Sequence, residues 1–137
     1  MNSTIRFVHA LPPIEHFYPL FLTTGWNESL GLSQEALEGA IQASWFFICA
    51  YEGTELIGTG RLLSDGAYQC FLCDVIVRPD RQGQGIGKEI VGRLVEHARL
   101  QGIRWLHLTS APGKRGFYEK IGFAARPEEA PGMELRF

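Results

Sequence analysis

Val75-Ile76-Val77-Arg78-Pro79-Asp80-Arg81-Gln82-Gly83-Gln84-Gly85-Ile86-Gly87-Lys88 joins an apolar, β-branched run to three closely spaced glycines. Beyond it, Ile86, Ile90, Val91, Leu94, Val95 and Ala98 recur at the spacing of a helix face, and Gly102 supplies a C-terminal stop. The stretch therefore reads as strand, loop and helix. Glycines in such a loop let consecutive backbone N–H groups converge on an anion at the positive end of the helix, and Arg78, Arg81 and Lys88 add formal charge nearby. On their own the glycines suit a tight turn with positive φ equally well. Two familiar phosphate loops do not fit. A Walker loop ending at Gly87-Lys88 needs glycine where Gln82 stands and Ser or Thr where Glu89 stands. The dinucleotide fingerprint needs two residues between its last two glycines, and only Ile86 separates Gly85 from Gly87.

Working outward, 45–51, 56–63 and 67–77 are apolar or β-branched runs separated by Glu52-Gly53 and Ser64-Asp65-Gly66, the turns of an antiparallel meander. Earlier still, 3–9 alternates weakly as a first strand. Pro12-Pro13 then introduce a short helix carrying Phe17, Leu20 and Phe21, which Pro19 is expected to break or bend. Ser33 is an N-cap for a second helix, with Leu32 and Leu37 as a hydrophobic staple and Ala36, Leu37, Ala40 and Ile41 as its stripe. Downstream, 103–109 reads as a strand, 113–121 as a short helix with Phe117 and Ile121 on one face, and 133–137 as a final strand. The fold class expected is α+β with a mostly antiparallel sheet and one strand-helix-strand unit over 72–109. No repeat or linker divides the chain, so 1–137 is expected to form a single domain.

Composition narrows the function. A chain of 137 residues buries roughly 70% of its unfolded surface without needing a disulfide or a metal. Thirteen Lys plus Arg against fifteen Asp plus Glu give a net charge of −2, with no polybasic run, so nucleic acid is not an expected partner. No run approaches the ~18 apolar residues of a membrane span, and 1–10 lacks the pattern of a secretory leader. A cytoplasmic location is expected. Cys49, Cys70 and Cys73 are odd in number, and Cys70 and Cys73 lie three apart in a strand, on opposite faces. They read as ordinary thiols, with neither a disulfide nor zinc.

Gln82-Gly83-Gln84-Gly85-Ile86-Gly87 also matches Q/R-x-x-G-x-G/A, and here the chain resembles the GNAT superfamily of N-acetyltransferases. Asp74-Val75-Ile76-Val77-Arg78-Pro79 looks like that superfamily's V-x-P strand end. Gly116-Phe117-Tyr118-Glu119-Lys120-Ile121-Gly122-Phe123 looks like its F-Y-x-x-x-G-F segment, in the right order and at the right separation. The resemblance is strong over 70–123 and loose before it. It implies the GNAT fold, a mixed sheet with flanking helices, splayed at its centre between 74–77 and 103–109. It also implies acetyl-coenzyme A as co-substrate, with no metal. The backbone of Val75, Ile76 and Val77 would pair with the pantetheine arm. The N–H groups of Gln82, Gly83, Gln84, Gly85, Ile86, Gly87 and Lys88 would hold the pyrophosphate. One departure is that Thr109, Ser110 and Ala111 stand where many members carry Asn.

Direct acetyl transfer to an amine needs a neutral nitrogen, oxyanion stabilisation and a donor for the leaving thiolate. Tyr118 suits the last role, because a phenol of pKa near 10 stays protonated at neutral pH. A base is less evident. Strand alternation puts Cys73 on one face and Asp74 on the other, so at most one of them lines a given cleft. Asp74 reads either as a group attracting or deprotonating an ammonium or as a structural acid, and His107 more readily as a core histidine than as a base. Trp26, Asn27 and Tyr51 are candidates for shaping an acceptor pocket or for plain core. A small-molecule amine is the expected acceptor, with a protein lysine or N-terminus as the alternative. A coenzyme A-binding sensor without turnover is the rival from another class, and dimers are common among similar proteins.

Overall fold

The computed structural model describes residues 4–137, which fall into two compact units, one running to His107 and the other spanning Leu108–Phe137. The first unit contains β1 (Ile5–Val8), α1 (Ile14–Leu22), α2 (Asn27–Leu30), α3 (Gln34–Gln42), β2 (Phe46–Glu52), β3 (Glu55–Ser64), β4 (Gln69–Val77), a 3₁₀ turn (Pro79–Arg81), α4 (Ile86–Leu100) and β5 (Trp105–His107). Ser3, placed in the first strand by the sequence, lies outside the described residues. The sheet order is β1-β2-β3-β4-β5; the first three pairings are antiparallel, and β4–β5, joined through α4, is parallel. This is a mixed, mostly antiparallel α+β sheet.

One face carries α1 and α3. Phe17, Leu20, Phe21, Leu37 and Ile41 form a buried cluster there with Phe47, Cys49, Leu56 and Ile76 of the sheet. Pro19 does not end α1, which continues to Leu22 because Phe17 on one side and Leu20 and Phe21 on the other are all anchored in that core. The Ser33 hydroxyl accepts from the Ala36 N–H at 3.0 Å, and Leu32 packs against the cluster holding Leu37, as cap and staple require. The opposite face carries α4, seated on two glycines of β3. A Cβ built on Gly60 would stand 2.7 Å from Ile90 Cγ2 and 2.9 Å from Leu94 Cδ1. Only glycine lets the helix lie this close.

Between β3 and β4 the register slips. Arg61 opposes Cys73, yet Thr59 opposes Ile76, so β4 carries one extra residue across from Gly60. That residue is Asp74, the one non-glycine with positive φ among the described residues, at 53°. A β-bulge of this kind bends the strand, and a left-handed residue with a Cβ costs about 1–2 kcal/mol that surrounding contacts must offset. The bulge also corrects the expected alternation. Arg61 stands opposite Cys73 but bonds Asp74, so Cys73 and Asp74 lie on the same side. Cys70 and Cys73 remain on opposite faces and free.

The second unit contains α5 (Arg115–Ile121), closed by Gly122 in the left-handed conformation at φ 117°. The final strand expected over 133–137 does not form, since the segment has no ladder partner among the described residues. Met133, Leu135 and Phe137 are exposed instead, their alternation giving a pattern but no edge to bury it against.

Candidate active site

The glycine loop leaves the start of α4 open. Gly83 and Gly85 have φ of 79° and 84°, conformations open to glycine at no steric cost. Neither has a heavy atom within 4 Å of where a Cβ would stand, so the approach to their backbone is clear. Gly85 is the N-cap of α4 and no side chain caps the helix. The first intrahelical donor of that turn is Glu89, to the Gly85 carbonyl at 3.1 Å, which leaves the N–H groups of Ile86, Gly87 and Lys88 at the positive end of a 15-residue helix. Main-chain donors, space and dipole together fit a pyrophosphate.

The cations around the loop divide. Arg78 is engaged by Asp80 at 2.7 Å and by Glu55 at 3.1 Å, and Arg81 by Glu52. Lys88 is exposed and is the loop cation without an ion-pair partner among the described residues. Gln82 Nε2 donates to the Val77 carbonyl at 3.0 Å and ties the loop to the strand end.

The splay is visible in β4. It pairs with β5 only through Gln69–Trp105, Cys70–Leu106 and Phe71–His107, while its last residues, 72–77, have β3 alone as strand neighbour. The Arg78 N–H donates to the Ile57 carbonyl at 2.8 Å. By alternation the main-chain groups of Ile76 also turn to β3, and those of Val77 turn to the open edge. Val77 thus offers its N–H to an extended ligand, while the Val75 side chain lies under α4, beside Gly60.

The side-chain candidates separate in the same way. Tyr118 lies on α5, its ring set edge-on to Phe117 at 5.0 Å and to Phe123 at 5.8 Å. Burial raises its phenol above the usual value near 10. Asp74 is ion-paired through Oδ2 to Arg61 Nε at 2.7 Å, an arrangement that favours the structural reading of this acid. Burial, then the Asp74 charge, pushes the Cys73 thiol up to about 12. Burial, only partly offset by a hydrogen bond with Tyr51, pushes Cys49 up to about 12, and its Sγ donates to the Ala10 carbonyl at 3.2 Å. Such thiols stay protonated and are poor nucleophiles. His107 is flanked by the rings of Phe71 and Trp105. Asn27 makes two bonds to the backbone of Leu32, while Trp26 and Tyr51 pack on the core cluster. Sequence reasoning missed Arg61. An arginine in an apolar strand signals a buried acidic partner, but nothing in spacing tells which.

The family model described as "Acetyltransferase (GNAT) family" matches residues 12–123. The chain belongs to this acetyltransferase family. The GNAT chain is 36% identical over 84 residues to GCN5-related N-acetyltransferase 1, chloroplastic, of Arabidopsis thaliana, covering 61% of this chain and 43% of that one. It is 38% identical over 85 residues to histone acetyltransferase TAP1 of Glycine max, covering 60% and 34%. The chain thus spans less than half the length of these curated relatives. Among solved structures it is similar to a GNAT family acetyltransferase of Streptococcus pneumoniae, with a TM-score of 0.80 and 25% identity, covering 98% of each chain. No helix among the described residues is long and apolar enough to cross a membrane.

Proposed function

We propose that this GNAT chain transfers an acetyl group directly from acetyl-coenzyme A to the amine of a small-molecule acceptor. The observation that carries the reading is the uncapped start of α4 behind Gly83 and Gly85, a cradle left open for an anion where the family's coenzyme-binding loop falls. The main chain of 82–88 and the Lys88 ammonium would hold the pyrophosphate, and the Val77 N–H the pantetheine arm. Acetyl-coenzyme A supplies an activated thioester, and a thiol leaves. Tyr118 is proposed as the donor to that thiolate, because its burial-raised phenol keeps its proton throughout the neutral range. Direct transfer is favoured over a cysteinyl intermediate, since Cys49 and Cys73 are held protonated. With Asp74 occupied by Arg61, the acceptor nitrogen gives up its proton to solvent. Three free thiols suit a reducing compartment such as the cytoplasm.

The test is a thiol-release assay with acetyl-coenzyme A across amino sugars, polyamines, amino acids and a histone-tail peptide, alongside calorimetry with coenzyme A. Turnover on a small amine supports the proposal. Turnover on the peptide alone moves the acceptor to protein lysine, in keeping with the soybean relative's name, and binding without turnover on any amine makes the chain a coenzyme sensor.

A further inference from the structure

The guanidinium of Arg61 makes three contacts that join separate elements. Its Nε donates to Asp74 Oδ2 at 2.7 Å; its Nη1 donates to the Ala40 carbonyl at 3.1 Å and to Ser44 Oγ at 3.3 Å. Ala40 lies in the last turn of α3, its carbonyl also accepting the Ala43 N–H at 3.2 Å, and Ser44 lies just beyond the helix. Asp74 is the left-handed bulge residue of β4. Both side chains of the pair are largely buried, at 12% and 21% exposure, so the tie is shielded from solvent screening. One side chain thus fastens the end of a helix to the point at which β4 departs from regular pairing, three residues before Val77 turns to the open edge.

From this we infer that Arg61 is a positioning residue: by clamping the Asp74 bulge to α3 it sets the direction of 75–77, and so the fit of the pantetheine arm on the open edge of β4. The inference rests on the coenzyme reading above. It gives Asp74 a role distinct from that of a base, because the carboxylate serves to hold a strained backbone.

Glycine separates these roles, since it adopts φ near +53° without strain and needs no clamp. The experiment compares Arg61→Met, Arg61→Met/Asp74→Asn and Arg61→Met/Asp74→Gly, each confirmed folded by circular dichroism. Calorimetry uses two probes: ADP, which carries a pyrophosphate, and coenzyme A, which adds the pantetheine arm. Arg61→Met is expected to weaken coenzyme A by about tenfold and to change ADP by less than about twofold. The Asp74→Gly double variant is expected to recover most of the coenzyme A affinity, and the Asp74→Asn double variant none of it. Arg61→Lys, which keeps the charge but loses the fork, should fall between Arg61→Met and the parent. Equal weakening of both probes, no weakening of coenzyme A, or failure of Asp74→Gly to rescue would overturn the inference. If Arg61→Met does not fold, the single Asp74→Gly variant decides: coenzyme A affinity near the parent's supports the clamp, and a loss like that expected of Arg61→Met refutes it. A parent that binds neither probe refutes the coenzyme reading itself, a different outcome from any of these.

Discussion

The loop at 82–88, proposed to bind coenzyme, and the helix at 115–121, proposed to supply a proton donor, are built of different materials. The loop presents main-chain N–H groups beside left-handed glycines at an uncapped helix start, whereas α5 carries one phenol packed among aromatic rings. A site made of backbone is tuned through conformation and is read as affinity. A site made of one side chain is read as rate.

The sharpest way to break this comparison is Tyr118→Phe. Loss of the hydroxyl should lower kcat by roughly a hundredfold while leaving the Kd of acetyl-coenzyme A nearly unchanged. Unchanged kcat, with chemistry shown to be rate-limiting, would remove Tyr118 from the reaction.

The pH profile sharpens the same half. Burial raises the Tyr118 phenol, so a larger share of it is protonated at any pH than in a free phenol, and a descending limb due to its ionisation lies above about pH 10. The ascending limb of kcat/KM is then expected to belong to the acceptor, because only its neutral form reacts and Asp74 is taken up by Arg61. Exchanging one amine for another about one pKa unit lower should move that limb down by the same amount. A limb that stays in place, yet vanishes in Asp74→Asn or His107→Gln, would reveal an enzyme base.

Gly85→Val tests the other half. Valine is strained at φ 84° and its methyls would fill the open approach, so Kd for coenzyme A should rise about tenfold by calorimetry. The kcat at saturating acetyl-coenzyme A should hold. A fall in kcat without a change in Kd would show that the loop serves chemistry instead.

The smallest effect is expected from Lys88→Ala. With Arg78 and Arg81 neutralised by their acidic neighbours, Lys88 adds one exposed charge to a site held mainly by backbone, so coenzyme A should weaken by about threefold, less at high salt. A loss as large as that of Gly85→Val would mean that formal charge, not main chain, dominates binding.

How much of this was legible depended on whether the cause lay near in sequence. The α4 start was legible because its glycines, its apolar period and the strand before it are contiguous. The Ser33 cap needs only Ala36, three residues on. The bulge was not legible, since strand alternation assumes an unbroken pleat and the extra residue shows only as a register slip against β3. That assumption put Cys73 and Asp74 on opposite faces. Arg61 escaped for a related reason, its partners lying 13, 17 and 21 residues away, on β4, just past the end of α3 and within α3. The segment 133–137 erred the other way, alternating like a strand without an edge to complete it.

The seat of α4 on Gly58 and Gly60 has a mechanical consequence. With no β-carbon between strand and helix, Ile86, Ile90 and Leu94 press directly on the backbone of β3, and the helix has little freedom to rise or slide along its axis. The donors of its first turn therefore keep a fixed aim relative to the open edge of β4. Alanine at Gly60, whose β-carbon would meet Ile90 and Leu94, would act as a shim under the helix and turn the donors of its first turn slightly out of line.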